Sequence, residues 1–97
     1  MTADVTIFNK ISVRIVKEQE LIIGPVAWDE ARKVSGFVVL DQKQGLIQLN
    51  GDTKDIIDHL VAQYERLFGR ASHEVCKDAV KDLILGMAQE EIPASLK

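Results

Sequence analysis

In the second half of the chain, apolar residues recur at the spacing of an α-helix in two successive segments. The first set is Ile56, Ile57, Leu60, Val61, Tyr64, Leu67 and Phe68, and the second is Val75, Cys76, Ala79, Val80, Leu83, Ile84 and Met87. A 3.6-residue period places each set on one face of a helix, and that face must be buried. Because only Gly69-Arg70-Ala71 separates the two segments, we predict an antiparallel helical hairpin.

The ends of these two helices carry recognisable capping residues. Asp52 or Thr53 is placed to cap the first helix by accepting hydrogen bonds from its free backbone N–H groups. Gly69 stands where a left-handed residue commonly ends a helix, and Ser72 is the expected cap of the second helix.

The first half of the chain contains β-branched residues in an alternating pattern. Between residues 11 and 16, apolar side chains alternate with Ser12 and Arg14, which is typical of a half-buried strand. A polar break at residues 17–20 separates this run from Leu21-Ile22-Ile23. The pattern predicts a β-hairpin over residues 11 to 23.

A short helix and a second hairpin are predicted to follow. Pro25 suits the first turn of a helix over Val26 to Val34, and Ser35-Gly36 ends it. Two apolar runs, residues 37–40 and 46–49, flank a polar turn and predict the second β-hairpin.

The predicted fold class is α+β, with the element order β-β-α-β-β-α-α. Two β-hairpins are expected to pair into one antiparallel sheet, with the helical hairpin packed on one face. We predict a single domain over residues 1–88. Residues 89–97, which contain Pro93, are predicted to form a flexible C-terminal tail.

Charge and composition narrow the classes of partner. A net charge of −3 and a pI of about 5.3 oppose nonspecific binding to nucleic acid or to anionic lipid. The N-terminus, Met1-Thr2-Ala3-Asp4, has no signal-peptide pattern, and no apolar run approaches the roughly 20 residues of a membrane span. We therefore expect a cytoplasmic protein without a membrane partner.

The residues with reactive side chains do not form a convincing catalytic or metal site. His73 and Cys76 lie three residues apart on one predicted helix, but zinc needs three or four ligands and His59 is the only other histidine. Cys76 is the only cysteine and belongs to an apolar face, where a thiol is poorly activated as a nucleophile. We expect no catalytic residue, no metal and no cofactor.

The main functional hypothesis is a non-enzymatic regulatory or protein-interaction module that self-associates, most simply as a homodimer. It rests on the large apolar content of a short chain, including a strand that is apolar on both faces. The predicted interface or pocket residues are Trp28, Phe37, Val39, Tyr64 and Phe68.

Two alternatives remain open. The helical hairpin resembles the outline of a helix-turn-helix, so a small DNA-binding regulator is one of them, although acidic residues on the last helix disfavour it. The other is a small-ligand-binding domain or enzyme with a pocket near His59, His73 and Cys76.

Overall fold

The computed structural model describes residues 5–97. The first four residues of the predicted domain, Met1-Thr2-Ala3-Asp4, on which the signal-peptide prediction rests, lie outside that range. The α-helices are α1 (Val5–Ile23), α2 (Val26–Arg32), α3 (Thr53–Phe68), α4 (Arg70–Ala79) and α5 (Lys81–Ile84). The strands are β1 (Phe37–Asp41) and β2 (Leu46–Leu49), and two short 3-10 helices, Gln89–Glu91 and Ala94–Leu96, follow α5. The described chain therefore mixes helices with a two-stranded antiparallel sheet.

The first predicted β-hairpin is wrong, because residues 11–23 belong to the long helix α1. The buried side chains of this helix follow a helical period rather than an alternating one. They are Phe8, Ile11, Ser12, Ile15, Val16 and Gln19. The polar residues at 17–20 are Lys, Glu, Gln and Glu, which favour a helix and not a turn. The helix ends only at Gly24, which has a φ of 80°.

The second predicted hairpin is confirmed and packs against the helices through one face. Phe37 pairs with Leu49 and Val39 pairs with Ile47, and these side chains face the core. A bulge lies between Val39 and Asp41, and Leu40, which points away from the core by strand alternation, is exposed. At the open end of the hairpin, Gly36 has a φ of 87° and its carbonyl oxygen accepts a hydrogen bond from the Asn50 N–H.

The capping predictions for the helical hairpin are confirmed in part. A side-chain oxygen of Asp52 accepts a hydrogen bond from the N–H of Asp55, and Gly69 ends α3 with a φ of 90°. Ser72 is not a cap, because α4 already begins at Arg70 and Ser72 lies buried within it.

The last predicted helix is interrupted at Val80, where α4 ends and α5 follows. The carbonyl oxygen of Ala79 accepts a hydrogen bond from the Arg14 guanidinium of α1, at 3.2 Å. The N–H of Leu83 bonds instead to the carbonyl oxygen of Val80. A contact between residues 65 positions apart in the sequence thus accompanies a break that local periodicity did not reveal.

Residues 89–97, for which the sequence suggested flexibility, pack against α3 and α4 in the structure. Ile92, Pro93 and Leu96 are buried. Ser95 donates two hydrogen bonds to one carboxylate oxygen of Asp58, from its N–H at 3.0 Å and its hydroxyl at 2.6 Å. The three buried residues lie within five positions of one another in a short segment, too few for a periodic pattern to mark them as core residues.

Candidate functional site

Two helix junctions meet at one end of the molecule. The amide group of Gln19, near the end of α1, donates a hydrogen bond of 3.0 Å to the carbonyl oxygen of Ser72 in the first turn of α4. The hydroxyl of Tyr64, near the end of α3, donates one of 2.7 Å to the carbonyl oxygen of Ala27 in α2. These contacts hold the α1–α2 junction beside the α3–α4 junction.

Large apolar side chains are exposed around these junctions. Leu21 is 80% exposed and Ile22 is 63% exposed, both in the last turn of α1. Val26 at the start of α2 and Leu67 and Phe68 at the end of α3 are each about two-fifths exposed. We call these five residues the apolar end. Large contiguous patches of exposed apolar side chains are rare on monomeric proteins and typically mark interaction sites.

Charged residues of both signs border the apolar end. Arg66, Arg70 and Glu74 are exposed on the α3–α4 side, and Glu18 and Glu20 are partly exposed on α1. An apolar centre with a charged rim is the usual composition of a protein–protein interface.

Beneath the apolar end lies a buried polar contact around Cys76. The Gln19 amide nitrogen lies 3.3 Å from the Cys76 sulfur, and both side chains are fully buried. Burial raises the pKa of the Cys76 thiol to about 11, although the hydrogen bond from Gln19 acts in the opposite direction. Burial likewise raises the pKa of Tyr64 above its ordinary value. Both groups are therefore neutral near pH 7, and the thiol is not poised as a nucleophile.

The structure separates the five predicted interface residues into core and surface. Trp28 is 1% exposed, Phe37 is 4% exposed and Tyr64 is fully buried, so all three contribute to the core of a single chain. Val39 is half-buried on the inner face of the hairpin. Phe68 is 40% exposed and belongs to the apolar end.

Sequence reasoning missed Leu21, Ile22 and Val26 as surface residues. Leu21 and Ile22 were assigned to a strand, where half of such residues face the core. A helical period extended from Phe8 places Leu21 on the side of α1 opposite the buried residues. This helical pattern in the sequence would have predicted that Leu21 is a surface residue.

The three residues of the predicted reactive pocket make separate contacts. His59 is exposed on α3 and lines a cleft with Lys33, Ser35 and Arg66, but neither His73 nor Cys76 lines that cleft. The two ring nitrogens of His73 contact a side-chain oxygen of Glu65 at 3.0 Å and the backbone oxygen of Ser95 at 2.6 Å. Cys76 contacts α1 instead.

Comparison of this chain with models of protein families, with curated proteins and with solved structures gives no match. Among residues 5–97, no three side chains of His, Cys, Asp or Glu come together as a metal-binding group. Over the same residues, none of the helices has both the length and the apolar character needed to cross a membrane.

Proposed function

We propose that this protein is a non-enzymatic interaction module that self-associates through the apolar end. The observation that carries the proposal is the presence of five exposed large apolar side chains in the last turns of α1 and α3 and at the start of α2. Removing such surface from water stabilises an assembly by about 25 cal/mol for each Å² buried. A second copy of the chain presents the same apolar surface.

Two features favour a second copy over an unlike partner. A two-fold axis brings one patch onto its own copy, and this is the commonest arrangement among soluble oligomers. The rim also carries both charge signs, with Arg66 and Arg70 at the α3–α4 junction and Glu18 and Glu20 near the end of α1. A two-fold rotation can therefore place cations of one protomer opposite carboxylates of its partner.

The state of the reactive side chains supports a non-enzymatic role. The Cys76 thiol is buried and protonated, and His73 is engaged by Glu65 and by the backbone of Ser95. His59 lines a cleft to which neither His73 nor Cys76 contributes. A nucleophile and its base would have to lie within hydrogen-bond reach of one another.

Sedimentation velocity of the full chain across micromolar concentrations tests the proposal. We expect the wild-type protein to sediment as a dimer and the double variant Ile22→Glu/Phe68→Glu to sediment as a monomer. The two carboxylates would be desolvated in the interface, which costs several kcal/mol per charge. Far-UV circular dichroism checks that the variant keeps its helices, since both positions are exposed in the single chain.

Leu85→Glu is the matched control. Leu85 is 81% exposed but follows α5, so the length of α4 separates it from the apolar end. We expect this variant to remain dimeric. A wild-type protein that is monomeric throughout the range would contradict the proposal, and so would a double variant that still dimerises.

A further inference from the structure

A second surface feature lies along the exposed face of α1, where this helix passes the tip of the β-hairpin. An open cleft of about 480 Å³ separates α1 from β2, and Leu83 of α5 contributes to its wall. Its apolar surface comes from Val13, Leu46, Ile47 and Leu83. This volume falls within the range of about 300–1,000 Å³ that is usual for small-molecule sites.

Three cationic side chains of α1 line the same cleft. Lys10, Arg14 and Lys17 lie at positions i, i+4 and i+7, which share one face of a helix. Arg14 forms an ion pair of 3.0 Å with Asp82. Lys10 and Lys17 form no ion pair with any of the described residues. The cleft is therefore cationic, although the whole chain carries a net charge of −3.

The cleft is preformed by a close approach between the hairpin and α1. Gly45 has a φ of 68°, and a Cβ atom at this position would lie 3.2 Å from side-chain carbons of both Val13 and Lys17. The absence of a side chain lets the turn approach α1, and Lys17 is positioned beside it. A preformed site loses less conformational entropy when a ligand binds.

We infer that this cleft binds a small amphipathic anion, in which an apolar body carries a carboxylate or phosphate group. The apolar wall contacts the body, while Lys10 and Lys17 donate hydrogen bonds to the anionic oxygens. The lysines and the apolar wall lie side by side in one cleft. A ligand that combines an apolar body with an anionic group therefore contacts both, whereas an apolar or an anionic molecule contacts only one of them. This inference is independent of the proposed self-association.

Titration calorimetry on the full chain, with probes that share a ten-carbon tail, tests the inference. We expect decanoate and decyl phosphate to bind saturably at one site per chain. Decanol and decylammonium should bind at least about tenfold more weakly, because they lose charge-assisted hydrogen bonds to the lysines. Inorganic phosphate alone should bind more weakly by a similar factor, because it has no apolar body.

Two variants of the hairpin locate the site. Leu46→Glu places a carboxylate in the cleft and should weaken decanoate binding by at least about tenfold. Leu40→Glu alters a residue of similar exposure on the same hairpin that does not line the cleft, and should bind decanoate like the wild type.

Two double variants test the lysines. Lys10→Gln/Lys17→Gln should lose affinity for decanoate, whereas Lys43→Gln/Lys81→Gln, at two lysines that do not line the cleft, should not.

Specific results would overturn the inference. Equal affinity for decanoate and decanol would show that the lysines do not recognise the charge. Equal affinity for decanoate and inorganic phosphate would show that the apolar wall contributes nothing. Unchanged decanoate binding by Leu46→Glu, or the lack of saturable binding by the wild type, would place the ligand elsewhere or exclude it.

Discussion

Cys76 illustrates how the surroundings of a single residue decide its chemistry. Its thiol is fully buried and contacts Gln19, and burial raises its pKa to about 11. The position of Cys76 in an apolar stripe predicts this burial from sequence, whereas its hydrogen bond to Gln19 depends on α1, which was assigned to strands. A cysteine in this environment acts as a small apolar residue.

The raised pKa predicts that the protein loses stability at alkaline pH. Above about pH 9, the thiol of the unfolded chain loses its proton while the folded chain keeps it up to about pH 11. The folded state therefore binds more protons in this window, and the free energy of unfolding falls as pH rises, by up to about 3 kcal/mol in total. Urea denaturation between pH 8 and pH 10 measures the start of this decline. Burial raises the pKa of Tyr64 from its ordinary value of 10, so Tyr64 adds to the decline as the pH approaches 10, in the wild type and in a cysteine variant alike.

Cys76→Ala removes the titrating thiol and is the variant for comparison. It should be less stable than the wild type at pH 8 because it leaves a cavity, but its stability should decline less between pH 8 and pH 10. The same slope in both proteins would contradict the prediction. Reaction of the wild-type thiol with a disulfide reagent should also be slow until urea unfolds the chain.

At the scale of elements, α1 shows why a local pattern can predict the wrong structure. Alternation over residues 11–16 fits a strand, but the buried positions from Phe8 to Gln19 fit a helix over a longer window. The predictions for β1, β2 and α3 are confirmed because turn and capping residues mark their ends. No such residue marks the break at Val80.

The C-terminal segment makes a second element-scale prediction. All three polar groups of Ser95 have partners, because Asp58 accepts from its N–H and its hydroxyl, and its carbonyl oxygen lies 2.6 Å from a ring nitrogen of His73. Asp58→Ala should release this segment and lower the free energy of unfolding by about 1–3 kcal/mol. Hydrogen exchange of the amides at residues 92–96 should become faster.

Asp78→Ala is the control for this experiment. Asp78 is an exposed aspartate on α4 whose carboxylate has no hydrogen bond or ion pair with the described residues. Its removal should change the free energy of unfolding by less than about 0.5 kcal/mol. Equal hydrogen exchange at residues 92–96 in the wild type and in Asp58→Ala would show that Asp58 does not hold the segment.

For the whole molecule, one apolar cluster joins residues of α1 to α4, both strands and the C-terminal segment. The radius of gyration of 12.1 Å is close to the value of about 12.5 Å expected for a single compact domain of this length. This arrangement predicts one cooperative unfolding transition. In urea, fluorescence of Trp28, the only tryptophan, and far-UV circular dichroism of the helices should give coincident curves.

Leu96→Ala extends this test to the end of the chain. Leu96 is 1% exposed, so its truncation should destabilise the protein by about 2–5 kcal/mol and shift both curves together. Leu85→Ala, at a position 81% exposed, should leave both curves nearly unchanged. Two separate transitions, or a shift in only one of the signals, would contradict a single cooperative unit.

The sequence pattern predicts the mixed fold class and the two neighbouring helices of the second half, but it does not predict the surface features. Periodicity identifies which side chains of a helix are buried, but the apolar end arises where the ends of α1 and α3 are brought together by contacts such as Gln19 with Ser72. The cleft likewise depends on the approach of Gly45 to α1. Neither juxtaposition is encoded in a local pattern.

Gly36 restricts how this sequence can change during evolution. A Cβ atom at this position would lie 2.5 Å from the carbonyl oxygen of Asn50 and 2.8 Å from Ile56 Cδ1, and the backbone φ of 87° already disfavours other residues. Exposed positions can diverge freely, but this one admits no replacement without moving the hairpin or α3. In any lineage that keeps this fold, we expect glycine to persist at position 36 after most of the surface has changed.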